Sequence, residues 1–251
     1  MVELRRWFIA CVFCFLAAGC VADEVTPSDL TLVLTNAALI DGNGGDVRFN
    51  STIEIADTRI SRVYSGGYDG AKDSSARVID LNGSYVMPGL WNNHSHLADL
   101  LPDPKNTLNK EGPYDATIRA GRNAMDALRA GFTSLRVVGE TDYIDVAWRD
   151  AFEAGVFVGP RIYASGPPIT SVGGHGTEPG MNGVAVQQAA SVEEIINAVN
   201  EHADRGVDLV KIMVDGLTLP QLGAAIETAH ERDIKIVGHA EEPGAGRAVA
   251  L

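Results

Sequence analysis

Four side chains in this sequence, His94, His96, Lys211 and His239, could do metal chemistry together, and a fifth, His175, could stand near a substrate. His94 and His96 stand at i and i+2 in "VMPGLWNNHSHL". Alternate residues of an extended segment point to one side, so both imidazoles can reach one ion while Ser95 points away. Lys211 interrupts the apolar run "LVKIMV". A lysine in a buried strand must lower its pKa, find a partner or be modified. Carboxylation at Nζ would make it an anionic oxygen ligand able to bridge two metals. His239 closes "IKIVGHA", and His175 sits in "GGHG" within a glycine-rich loop. Each residue has a plainer role open to it. A strand-end histidine is often a hydrogen-bonded structural residue, Lys211 can snorkel to solvent, and His175 can be an exposed loop residue. The ordered set, two histidines, then lysine, then histidine at successive strand ends, is what points to a metal site.

Those residues need a scaffold that delivers them to one place. Residues 30–87 read as short β runs broken by turns, a small β-domain in which Ile53, Ile55, Ile60 and Val63 share a core. After Pro88 the period changes. Helices are predicted over 115–130, ending at Gly131, over 143–155, over 191–206, with Ser191 and Glu194 as a capping box, and over 218–233, with Pro220 near its start. Five strands alternate with them: 84–87 continuing to 96, 133–138, 161–165, 208–214 and 234–239. Such alternation predicts a parallel sheet covered by helices. An open doubly wound sheet and a (β/α) barrel both fit. No G-x-G-x-x-G turn supports the nucleotide-binding version. His94 and His96, Lys211 and His239 fall at the C-terminal ends of strands one, four and five, where a barrel gathers its reactive groups.

Composition agrees with a globular α/β chain: 251 residues, 45% hydrophobic, 21% charged, 27 glycines. A net charge of −13 argues against a nucleic-acid surface. The first residues stand apart. Arg5 and Arg6 precede an apolar run over 7–18, the order of a secretory signal. All three cysteines, Cys11, Cys14 and Cys20, lie there, so nothing after residue 21 can form a disulfide. "LAAGC" resembles a lipobox, with Cys20 as a lipid anchor to the membrane, although Ala17 replaces the usual leucine. Cleavage after Ala22 is the competing reading. The expected organisation is therefore a signal peptide at 1–22, a linker at 23–29, the β-domain at 30–87 and an α/β domain at 88–251. The expected location is outside the cytoplasm: a periplasmic or outer-membrane-anchored lipoprotein, or a secreted protein.

The motifs "VMPGLWNNHSHL", "GFTSLRVVG", "GPRIYASGPPIT", "GGHG", "VDLVKIMVDG" and "IKIVGHAEE" together resemble the metal-dependent amidohydrolase superfamily, over residues 30–251. The nearest branch is the imidazolonepropionase-like, Xaa-Pro and Xaa-Arg dipeptidase group. The resemblance implies a (β/α)8 TIM-type barrel beside a small β-sandwich, and two divalent metal ions, zinc by preference. His94 and His96 would hold the more buried ion, carboxylated Lys211 would bridge both, and His239 would hold the second. His175 matches a position near the substrate. The implied reaction is hydrolysis of an amide bond in a dipeptide or another small molecule, by water that the metals activate. Cyclic-amide hydrolysis and a non-catalytic metal-binding remnant are the alternatives. Three departures stand out. Asn92 replaces an expected Asp, and Val137 follows Arg136 where Asp is common. The sixth-strand His and the eighth-strand Asp, the expected acid/base, lie beyond residue 251. Five strands cannot close a barrel. The expectation is thus an N-terminal portion of a longer enzyme, inactive and aggregation-prone alone.

Overall fold

The computed structural model describes residues 30–70, 75–98, 112–178 and 185–241. The leader, Cys20 and the 23–29 linker lie outside the described residues. The chain divides into two compact units, Met1–Pro88 and Gly89–Leu251.

The first unit is built on β1 (Leu30–Leu39), which pairs antiparallel with β2 (Arg48–Ala56) and parallel with β4 (Arg77–Asp80) and β5 (Tyr85–Val86). Strand β3 (Arg59–Ser65) adds to the far edge of β2. The described residues thus form one five-stranded sheet. Its core is Ala37, Leu39 and Ile53, with Leu34, Ile55, Leu81 and Val86 against them. The expectation that Ile60 and Val63 share this core fails. Ile60 is 67% exposed and Val63 37%, because β3 is an edge strand lying outside the core that β1 and β2 build. A second expectation also needs correction. Residues 84–87 do not begin the first strand of the second unit: Ala38 pairs with Tyr85 and Leu39 with Val86. Pro88, with no N–H to donate, separates that pairing from the next.

The second unit begins with β6 (Leu90–Ser95) and continues with α1 (Pro113–Arg129), β7 (Phe132–Val137), α2 (Ile144–Glu153), β8 (Arg161–Tyr163), β9 (Ile169–Ser171), β10 (Gln187–Ala189), α3 (Val192–Asp204), β11 (Leu209–Met213), α4 (Leu219–Glu231) and β12 (Lys235–His239). All its strand pairs are parallel: β6 with β7, β7 with β8, β9 with β11 and β10, and β11 with β12. The strand predicted over 161–165 is shorter, Arg161–Tyr163, and a second strand, Ile169–Ser171, follows in the stretch expected to be loop. Gly166 takes φ 65°, and Pro167 and Pro168 cannot donate to a ladder, so β8 ends and β9 restarts beyond them. The Ala164 carbonyl bridges the break by accepting from Asp208 N (2.8 Å) and Leu209 N (3.2 Å). The described strands of this unit thus fall into two parallel sheets, β6-β7-β8 and β10-β9-β11-β12.

Local chemistry starts the helices where the sequence places them. Pro113 opens α1, where its missing N–H costs nothing. In α3, Ser191 Oγ accepts from Glu194 N at 3.1 Å, while the Glu194 carboxylate reaches back to Ala190 N at 2.6 Å. In α4, Thr218 and Gln221 form a capping box with Pro220 in the first turn. The apolar faces pack into two clusters. Ile169, Ile195, Val199, Val210, Ile212 and Leu222 belong to one, and Ala120, Ala124, Leu135, Val137, Ile144 and Ile162 to the other. Gly121 sits where a Cβ would strike the Trp148 indole, so α1 and α2 meet at close range. Asp145, fully buried, accepts from Ser165 N (2.7 Å) and Gly166 N (2.9 Å), which fastens the start of α2 to the end of β8.

Candidate metal centre

The end of β6 supplies the first two imidazoles. Ser95 Oγ donates to the Arg136 carbonyl of β7 at 3.1 Å, so Ser95 turns toward the neighbouring strand, as alternation requires. The rings of His94 and His96 lie with centroids 5.3 Å apart, edge to face at 61°. His96 Nδ1 is 2.7 Å from the Gly139 carbonyl oxygen. A carbonyl can only accept, so Nδ1 carries the proton and the Nε2 lone pair is left for a ligand. Asn92, which stands where the family resemblance expects Asp, uses Oδ1 to accept from His94 N at 3.1 Å. That is a bond an amide can make as well as a carboxylate.

Beyond His96 the chain is gripped by Glu140. One of its carboxylate oxygens accepts from Leu97 N (2.7 Å) and Ala98 N (2.9 Å), and the other from Thr141 N (3.0 Å). Burial pushes the Glu140 carboxyl up to about 7, against the pull of those backbone donors. Gly139 has to be glycine: its φ is 148°, and a Cβ there would lie 2.7 Å from Pro168 and 3.3 Å from His96. Glu140 and Gly139 were not legible as site residues in the sequence. Nothing in the spelling of an acidic residue after an apolar strand says that its side chain will turn back to a neighbouring loop.

Lys211 is 4% exposed, in a strand whose five residues are all buried. Burial, and then the Arg136 guanidinium, hold its amine below the usual lysine range. No anion among the described residues offsets this. The His94 imidazole is likewise held below its ordinary value. Burial comes first, then His96, Lys211, Arg136 and His239, whose charges all act on it. The charges of His96, Lys211 and His239 thus all reach His94.

His175 joins them from the loop between β9 and β10. Its ring stacks on that of His239, with centroids 4.5 Å apart and planes 8° from parallel. His175 Nδ1 is 3.0 Å from Glu178 Oε1, and His239 Nε2 is 3.1 Å from Glu241 Oε1. Glu241 N in turn donates to Asp215 Oδ2 at 3.0 Å. Glu241 was overlooked in the sequence, although its i, i+2 spacing from His239 repeats that of His94 and His96. The donor set suits a borderline divalent cation: imidazoles with a free lone pair, a carboxylate, and an amine that burial drives toward its neutral, carboxylatable form.

Residues 85–250 match the amidohydrolase family. The ochratoxinase of Aspergillus niger is 30% identical, over 71% of this chain and 41% of that enzyme. A solved Xaa-Pro dipeptidase with methionine bound in its active site superposes with a TM-score of 0.77 at 26% identity, over 86% of this chain and 58% of that one. A prolidase solved with N-methylphosphonate-L-proline gives a TM-score of 0.75 at 27% identity, over 87% and 58%. The chain therefore spans 41% of the length of the curated relative and 58% of these solved chains.

Proposed function

Because this chain belongs to the amidohydrolase family, we propose that it forms part of a metal-dependent hydrolase that cleaves amide C–N bonds, with dipeptides as the favoured substrates. The observation that carries the reading is Lys211, 4% exposed and without an anionic partner among the described residues, on the strand that pairs with the one ending in His239. In β6, β7, β8 with β9, β11 and β12, all paired in parallel, we read five staves of a (β/α)8 barrel, whose C-terminal ends carry the site. His94 and His96 would hold one divalent ion, His239 a second, and Lys211 would bridge them as its carbamate. Such ions, zinc by the donor chemistry, would supply a water nucleophile at neutral pH and would polarise the scissile carbonyl.

The protein's own residues set up that chemistry. The Gly139 carbonyl keeps the proton on Nδ1 of His96, so the ring presents Nε2. Burial and the cations around His94 favour its neutral, donor form. Burial beside Arg136 favours the neutral Lys211 amine, the form that attacks carbon dioxide and releases a proton. Likeness to an Xaa-Pro dipeptidase and a prolidase supports a dipeptide substrate. Likeness to ochratoxinase supports a non-peptide amide as the second reading.

The test is metal content by mass spectrometry after loading with zinc, with and without bicarbonate. Bicarbonate should raise the zinc content of the wild-type protein and leave Lys211→Ala unchanged, and an Xaa-Pro panel should identify the peptide cleaved. Zinc uptake indifferent to His94, His96 and Lys211 would overturn the reading.

A further inference from the structure

We propose that Glu140, Asn123 and Arg119 are positioning residues, which together clamp the two residues after His96 and so fix the aim of its ring. The inference rests on the reading of His94 and His96 as metal ligands, and it adds the parts that hold them.

The histidines need such a part because the sheet lets go of them. Strand β6 loses register with β7 between Asn92 and Ser95, where three steps of one strand meet two of the other. His94 lies inside that irregular stretch, and His96 lies past the last pair, Ser95 with Val137. The final ladder bond runs from Val138 N to the Ser95 carbonyl, at 3.1 Å. His96, Leu97 and Ala98 follow outside any strand.

Side chains take over there. Glu140 Oε2 accepts from the Leu97 and Ala98 amides, at 2.7 and 2.9 Å. Asn123 Nδ2, on α1, donates to the Leu97 carbonyl at 2.8 Å. Arg119 Nε, one turn earlier on that helix, donates to the Ala98 carbonyl. All four main-chain polar groups of the two residues thus end on side chains, drawn from two separate elements. Leu97 is 2% exposed, and Ala98 and Glu140 6% each, so water offers no ready substitute. The clamp and the ring also share an anchor. The Gly139 carbonyl, one residue before Glu140, faces His96 Nδ1 at 2.7 Å. A shift of residues 97–98 against Glu140 would draw the ring off that carbonyl, and its tautomer would no longer be set. A clamp that only braced the fold would cost stability and leave the ring alone. A positioning clamp changes the ring as well.

The experiment reads the ring without metal and then the affinity for it. In a long-range 1H–15N spectrum of the metal-stripped protein, His96 should be a single tautomer protonated at Nδ1. Its signals are assigned by their loss in His96→Ala. Glu140→Met, Asn123→Leu and Arg119→Met each remove one grip and keep the side-chain volume. Each should turn His96 into a mixture of tautomers and weaken zinc binding, read by calorimetry, by about tenfold. Glu140→Gln and Arg119→Lys keep an acceptor and a donor, and should recover most of that loss. Ile195→Val, in the other core cluster, should lower stability and leave tautomer and affinity unchanged. Circular dichroism shows which variants fold, and if Glu140→Met does not, the two α1 variants carry the test. A single Nδ1 tautomer with wild-type affinity in the folded variants would overturn the proposal, and so would equal effects from Ile195→Val. If the variants mix the tautomers while neither they nor His96→Ala alters zinc binding, the clamp stands and the metal reading of His96 falls.

Discussion

His96 owes its orientation to a main-chain carbonyl, so the residue that controls it is a glycine with no side chain. Gly139→Ala would put a Cβ 2.7 Å from Pro168 and against His96, at a φ of 148° that an L-residue resists. The expected result is a loss of about 1–3 kcal/mol of stability and weaker zinc binding, read by denaturant titration and calorimetry. Glu140 gives a pH signature. Its carboxyl binds a proton in the folded chain near pH 7 instead of 4.5. Between those values the folded state carries more protons than the unfolded one, so stability falls as pH rises through that window. Glu140→Gln should flatten that slope, which urea midpoints measured from pH 4.5 to 7.5 will show. At this scale the sequence was legible wherever a residue type was improbable for its surroundings. A lysine in an apolar strand and two histidines at i, i+2 announce themselves. Glu140, Glu178 and Glu241 do not, because an acidic residue near a strand end is ordinary, and their partners Leu97, His175 and His239 lie 43, 3 and 2 residues away.

Among the elements, the four helices were legible because their ends are written locally, in Ser191 with Glu194, in Pro220 and in the closing glycines Gly131, Gly155 and Gly206. The strands were less so. Residues 161–171 read as one strand and a loop, but the Gly166–Pro168 break makes two strands with different neighbours. Strand β10, "QQA", carries neither alternation nor β-branched residues. Its pairing comes from the tertiary position of β9, which no local pattern encodes. In the first unit, alternation placed Ile60 inward, whereas the edge position of β3 leaves it exposed. The tightest element contact is testable. Trp148 lies over Gly121, and its indole nitrogen donates to the Thr117 carbonyl at 2.8 Å. Gly121→Ala should gain helix propensity yet cost about 1–3 kcal/mol overall from overpacking. A helix-only account predicts the opposite sign, and thermal denaturation decides between them.

For the molecule as a whole, the motifs carried more than the composition did. Length and charge gave only a globular α/β chain, while the ordered motifs gave the family. Among the described residues no helix is long and apolar enough to cross a membrane. The second unit also has a property that belongs to no single element. Glu140, in the loop after β7, and Asp145, in the first turn of α2 five positions on, grip opposite neighbours: Glu140 the backbone after β6, Asp145 the backbone after β8. Opening either grip strands a buried carboxylate without its donors, so neither end can fray cheaply. Amide hydrogen exchange should report this. Leu97, Ala98, Ser165 and Gly166, at the tips of separate loops, should exchange on the slow timescale of core strands and with a common opening free energy. Fast, independent exchange at these four amides would show that the two carboxylates hold nothing in common. If the rates coincide, the rim that carries His96 unfolds only with the sheet beneath it, and a metal site there is lost by global opening, not by local breathing.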